Sequence, residues 1–343
     1  MWIAKPIRQI TTEEERVWRE FESKLTLSQK LCWASAIEAV SGKAYLVFSP
    51  DEKVGGMVFS TSPGVFESIN GPELNWDDPQ KISRQFATFA NAVAKLSTQF
   101  RSLTICPRWS TAQTQERLAS LPIPPNAISH ACTVVVPVHE NPTEQSAGFS
   151  QRLRRTLKKT LFHKPEINIE RCTENKLKSF ASAMQSFASA KGFSSPPLSF
   201  FEALVKPAPS KSHGSDPVFW LITSTLRVAA PQPPPLAADP TPAVAEAQIL
   251  LSVEGHHAAY LFGLENRDPG IPSSLSVSAA AHWEALRLCA RHKVTEYDLN
   301  GYLDPQFETG TSEPRHPYTG VAEFKRQFQG RLVQYSIPRF QIE

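Results

Sequence analysis

The chain has 343 residues, 41% of them hydrophobic, which is enough apolar material for more than one core, so two globular domains are expected. Lys and Arg exceed Asp and Glu by 36 − 33 = +3, a balance too slight for wholesale coating of nucleic acid, and any polyanion has to be held by a local patch. Five scattered cysteines without C-x-x-C spacing indicate neither a zinc site nor a disulfide framework, and no run approaches the ~20 apolar residues that cross a bilayer.

The first twenty residues turn acidic and polar where a secretory leader needs an apolar core, so the cytoplasm is the expected compartment. Thr12 ahead of Glu13, Glu14 and Glu15 reads as an N-cap, and Val17, Trp18 and Phe21 recur at helical spacing, which predicts a helix over 12–24. A second helix is predicted over 29–40, then short strands at 43–49, 57–62 and 65–69 separated by Gly and Pro. Ile82, Phe86, Phe89, Val93 and Leu96 mark a helix within 79–100, followed by a buried strand at 102–107. After a strand at 130–138, the polar run 139–148 reads as a hinge between domains spanning 1–145 and 146–330, with a last strand in 331–343 returning to the first.

The second half carries the same kinds of element: helices at 149–163, 173–191, 198–206 and 278–292, and strands at 165–172, 218–226, 247–254, 256–265 and 294–299. Between them, 229–245 holds six prolines and almost no large apolar side chain, an extended or disordered insert grown from a hairpin loop. The expected class is therefore α/β with mixed sheets in two units.

No G-x-G-x-x-G, Walker loop, H-E-x-x-H or G-x-S-x-G is present, which weighs against nucleotide hydrolysis, zinc hydrolysis and serine esterase chemistry. The glycine-spaced pyrophosphate loop of acetyl-CoA transferases is missing too, so an acyl-CoA is the weaker choice of donor, and no other cofactor is indicated.

Three segments can carry chemistry. In 151–164, Leu153, Leu157 and Leu161 form one stripe, while Arg152, Arg155 and Lys159 share another with Arg154 and Lys158 beside them. Like charges at helical spacing repel, so this face is either solvated or set against phosphates. Tyr297-Asp298-Leu299-Asn300-Gly301 ends a strand, where α/β sheets present ligand-binding groups; Asp298 either orients an amine or caps the turn. Val321, Phe324 and Phe328 share a helix face, so Lys325 lies beside an aromatic wall, placed to hold a phosphate or an oxyanion.

Together, the strand ending Tyr-Asp-x-x-Gly, the preceding helix with His282, Trp283 and Glu284, and the Phe-Lys-x-x-Phe-x-Gly helix after it resemble the C-terminal half of the FemABX family. The Gly-Pro strand exit before an acidic turn at Glu67 to Asp78 is similar to that family's first domain, and 146–164 to its basic helix. The resemblance implies two tandem domains of the GNAT-like acyltransferase fold. It also implies transfer of an amino acid from aminoacyl-tRNA to the stem peptide of a lipid-linked or UDP-linked peptidoglycan precursor, with peripheral membrane contact. Carried over, Lys325 is the catalytic cation with Phe324 beside it. Asp298, Tyr297, Gly301 and Trp283 shape the substrate channel, and Arg152, Arg155 and Lys159 contact the donor. Asp77 is the candidate base, because Asn75 stands where the family often has Asp. Gln329 stands where Gly is usual, and no tRNA-binding helical hairpin is recognisable. Two alternatives stay open: an N-acyltransferase using a thioester donor, and a non-catalytic homologue that binds a precursor or a partner protein.

Overall fold

A computed structural model describes residues 2–22, 25, 27–106, 128–206, 217–228, 242–301 and 319–340. The chain divides into two compact units: Met1–Cys132 with Ser199–Asp216 and Val333–Glu343, and Thr133–Leu198 with Pro217–Leu332. The division falls inside a strand, Ile128–Pro137, rather than in the polar run 139–148. That run contains the short helix Pro142–Ala147, because Asn141 caps it by accepting from the Thr143 amide (2.9 Å) and buried Gln145 ties it to the Pro137 carbonyl (3.0 Å).

In the first unit the strands β1 (Ile3–Pro6), β2 (Ala44–Ser49), β3 (Val54–Ser62), β4 (Val65–Ile69) and β5 (Ser102–Cys106) pair in that order. All pairs are antiparallel except β4–β5, and the far side of β5 is closed by Arg339 and Phe340 of the C-terminal strand Arg331–Phe340. Strand alternation sends Val47, Val58, Phe66 and Leu103 to one face, under the helix Pro79–Ala94 with its Ile82, Phe86, Phe89 and Val93. Leu46, Phe48, Met57 and Phe59 go to the other face, against Trp18 and Leu31 of the helices Thr12–Glu22 and Leu31–Ser41. The cap of the first helix is Thr11, not Thr12: the Glu14 amide donates to Thr11 Oγ1 (3.2 Å) and the Thr11 amide to Glu14 Oε2 (2.7 Å), the reciprocal box that needs a carboxylate three residues on.

The second helix starts two residues later than predicted because Gln29 is buried and serves the sheet instead. Its Oε1 accepts from the Met57 amide (2.7 Å) and its Nε2 donates to the Ile69 carbonyl (2.6 Å). A Cβ on Gly71 would lie 2.5 Å from the Gln29 carboxamide carbon, so that close approach needs glycine.

In the second unit Thr133–Pro137 of β6 (Ile128–Pro137), β11 (Glu296–Asp298), β10 (His257–Arg267), β9 (Ala243–Glu254), β8 (Val218–Val228) and β7 (Glu166–Arg171) pair in that order. Only β10–β11 is parallel. Each unit thus repeats one plan: a run of antiparallel strands, then a helix, then a strand laid parallel to the last, then an antiparallel strand beyond it. The helix Val277–Arg291 is buried on nearly every side and packs on β8 and β9, and the helix Gln151–Phe162 packs on it through Leu153 and Leu157. The strand β9 begins at Ala243, so residues 243–245 of the proline-rich segment belong to the sheet, and 229–241 lie outside the described residues.

Candidate functional site

The second unit presents its site where the only parallel pair among its described strands ends, the place at which a sheet's order reverses and strand ends splay. The strand β11 leads out through Leu299 into Asn300 and Gly301, both with left-handed backbone (φ 50° and 51°). Asp298 fixes this turn: its Oδ1 accepts from the Asn300 amide (2.7 Å) and from Thr133 Oγ1 on the neighbouring strand (2.5 Å).

The turn aims two carbonyls at one cation. Lys325, 5% exposed on the helix Thr319–Arg326, donates from Nζ to the carbonyls of Asn300 and Gly301, the latter at 2.6 Å. Its ammonium lies 5.6 Å from the centre of the Tyr260 ring. Burial pulls the Lys325 pKa down to about 8, with the Asp298 charge opposing the fall.

Around the lysine stands an aromatic layer. His282, 4% exposed, has Nδ1 hydrogen-bonded to Tyr297 Oη at 2.7 Å, with ring centroids of Tyr260, Phe324 and Phe328 at 4.9, 5.5 and 5.5 Å. Burial, then the nearby Lys325 charge, pushes the His282 pKa down to about 3, so the imidazole is neutral at ordinary pH. Burial raises Tyr260 to about 12 and Tyr297 well above the usual phenol range, so both keep their protons. Lys325 is therefore the charged group of a layer of uncharged rings.

Lys325, Phe324, Asp298, Tyr297 and Gly301 come together in the second unit. Their parts differ: Tyr297 is 0% exposed and offers no surface to a substrate, its hydroxyl being used on His282, while Asp298 caps the turn. Trp283 points away from the lysine layer onto Phe149 (6.0 Å between centroids) and lines a hollow of ≈ 290 Å³ with His139, Arg287 and Lys293. Arg152, Arg155 and Lys159 are exposed on the outer face of their helix, with no hydrogen bond or ion pair to that layer. Asp77 belongs to the first unit, exposed in the turn before the helix Pro79–Ala94, next to Asp78, which caps that helix through the amides of Gln80 and Lys81 (3.1 Å each). Tyr260 and Thr133 were not singled out by sequence, and His282 was noted only within its helix motif; His282 and Tyr297 are fifteen residues apart, and only the helix-to-strand return brings them together. Among the described residues no group of three His, Cys, Asp or Glu could hold a metal ion.

No family model and no curated protein matches the sequence. Among solved structures, the crystal structure of FemX superposes with a TM-score of 0.66 at 14% identity, covering 98% of this chain and 96% of the other. The fold is FemABX-like. Two mixed α/β units make up the chain that superposes on it. The C-terminal domain of a putative lysylphosphatidylglycerol synthetase from Agrobacterium fabrum matches with a TM-score of 0.53 at 11% identity, covering 95% of this chain and 92% of that one. L-PGS from Bacillus licheniformis matches at 0.54 and 8% identity, over 97% and 91%. The chain thus shares its fold with these proteins, and no described helix is long and apolar enough to cross a membrane.

Proposed function

We propose that this protein transfers an aminoacyl group from an aminoacyl-tRNA ester to a primary amine on the stem peptide of a peptidoglycan precursor, forming a peptide bond. The observation that carries the reading is the seat of Lys325: a buried ammonium held by the carbonyls of Asn300 and Gly301, with a remaining N–H for a developing oxyanion.

The nucleophile belongs to the substrate. Its lone pair attacks the ester carbonyl carbon, the carbonyl oxygen takes the negative charge, and the C–O bond to the ribose breaks as the tetrahedral species collapses. Lys325 stabilises the oxyanion, Asp298 holds the turn that aims it, and Phe324 packs at its side. The amine's proton passes to the departing ribose oxygen, one of the substrate's own groups. The Fem-like sequence signature and the FemX-like fold support the choice of donor and acceptor. The test is a transfer assay with charged tRNAs and precursor stem peptides, run with and without ribonuclease treatment of the donor. Product that survives ribonuclease points to a thioester donor, and precursor binding without product under either donor removes the catalytic reading.

A further inference from the structure

The helix Gln151–Phe162 carries a feature that makes no hydrogen bond or ion pair to the Lys325 layer. Arg152, Arg155, Lys159 and Phe162 recur at intervals of three and four, so they form one stripe about 15 Å long, with Lys158 beside it. The stripe is exposed; Phe162 is 82% exposed on the outer side of a helix whose inner side is closed by Leu153, Leu157 and Thr160. None of the four cations has a carboxylate partner among the described residues, and 151–164 contains no acid. Between Lys158 and Lys159 and the segment around Leu275, a hollow of ≈ 720 Å³ is lined by Leu161, Phe162, Pro272 and Leu275.

Two costs coincide on this surface. Arg155 repels Arg152, Lys158 and Lys159 at helical spacing, and a bare phenyl ring forgoes the burial that aromatic side chains ordinarily gain. Phosphates alone would relieve the first and leave the second. A nucleic acid could stack a base on the ring, but most of the surface of the hollow is carbon, from Leu161, Phe162, Pro272 and Leu275, with His163 and Ser274 as its uncharged polar side chains, and stacking one base leaves that carbon wet. An interface that offers anionic headgroups and hydrocarbon together relieves both, with the cations at headgroup level and the ring below them.

We infer that this stripe docks the protein on an anionic phospholipid surface, the cations binding headgroup phosphates and Phe162 inserting among the acyl chains. The inference stands apart from the transfer reading, since it invokes none of the Lys325 layer.

Co-sedimentation of the whole protein with phosphatidylglycerol/phosphatidylcholine vesicles, against phosphatidylcholine alone, tests it. Binding is expected to anionic vesicles only and to fall with salt. Arg155→Gln/Lys159→Gln should weaken it about 25-fold, roughly fivefold per cation, and Phe162→Ser about tenfold with the salt dependence unchanged. All three side chains are exposed, so circular dichroism should show the folded state retained. No binding to anionic vesicles, or equal binding by every variant, overturns the inference. So does a charged-tRNA or hairpin-RNA complex that the same variants abolish while vesicle binding is absent, which assigns the stripe to nucleic acid.

Discussion

Tyr297 Oη and His282 Nδ1 are joined at 2.7 Å in a layer with almost no access to solvent, and this bond fixes the ring against which Tyr260, Phe324 and Phe328 all rest. Tyr297→Phe removes the partner and leaves a buried imidazole nitrogen unsatisfied, so a loss of about 1–3 kcal/mol of stability is expected in urea unfolding. The double variant Tyr297→Phe/His282→Phe, which removes both polar partners, should cost less than Tyr297→Phe alone; an equal or larger loss would show that the unpaired nitrogen is not the source.

Acid should unfold the protein by the same group. The folded-state pKa of His282 is about 3, against 6.5 for the free side chain, so between those values the unfolded chain binds the extra proton. Stability is therefore lost as pH falls from about 6.5 towards 3. His282→Gln should flatten that part of the stability profile, measured by thermal unfolding at stepped pH; an unchanged slope would place the acid sensitivity elsewhere.

Transfer, if Lys325 must be charged, falls as pH rises through about 8, the value to which burial pulls its ammonium. Lys325→Ala should lower kcat by roughly 10²-fold or more, the usual cost of a lost oxyanion partner. Retention of full turnover by this variant would end the assignment. The same group works in the opposite sense on stability: between about 8 and 10.5 the unfolded chain holds the proton that the folded one has shed, so that stability rises with pH across this window.

Asp298→Asn separates cap from charge. The asparagine oxygen can still accept from the Asn300 amide and the Thr133 hydroxyl, so the turn should persist at a cost of about 1 kcal/mol. The carboxylate that opposed the fall in the Lys325 pKa is gone, and the alkaline limb of activity should move to lower pH. A limb that stays in place would mean that Asp298 acts through geometry alone.

Much of this was legible from residue order. The helix Val277–Arg291 lies within a residue of the predicted 278–292, and Lys325 stands beside the aromatic wall that Phe324 and Phe328 imply. Periodicity reports which face of an element is apolar, and that is what those readings needed. The helix Pro142–Ala147 was hidden because Asn, Pro, Thr and Glu mark a turn and a helix start alike, and burial of Gln145 decides between them. Gln29 was read as the start of a helix because nothing local reveals that its carboxamide is needed 28 residues on, at Met57. The repeated sheet plan left no repeat in the sequence, since strand order is set by backbone pairing and each core is filled by different side chains. The Lys325 seat depends on carbonyls of Asn300 and Gly301, and backbone groups carry no signature in sequence.

Phe340 sits beside Leu103 on the sheet whose other strands come from the first hundred or so residues. A ribosome must therefore deliver the chain through that phenylalanine before the earlier-made unit can complete its edge. Until then the free side of β5 is an open template, so synthesis stalled short of residue 339 should leave a species prone to pairing with its own copies.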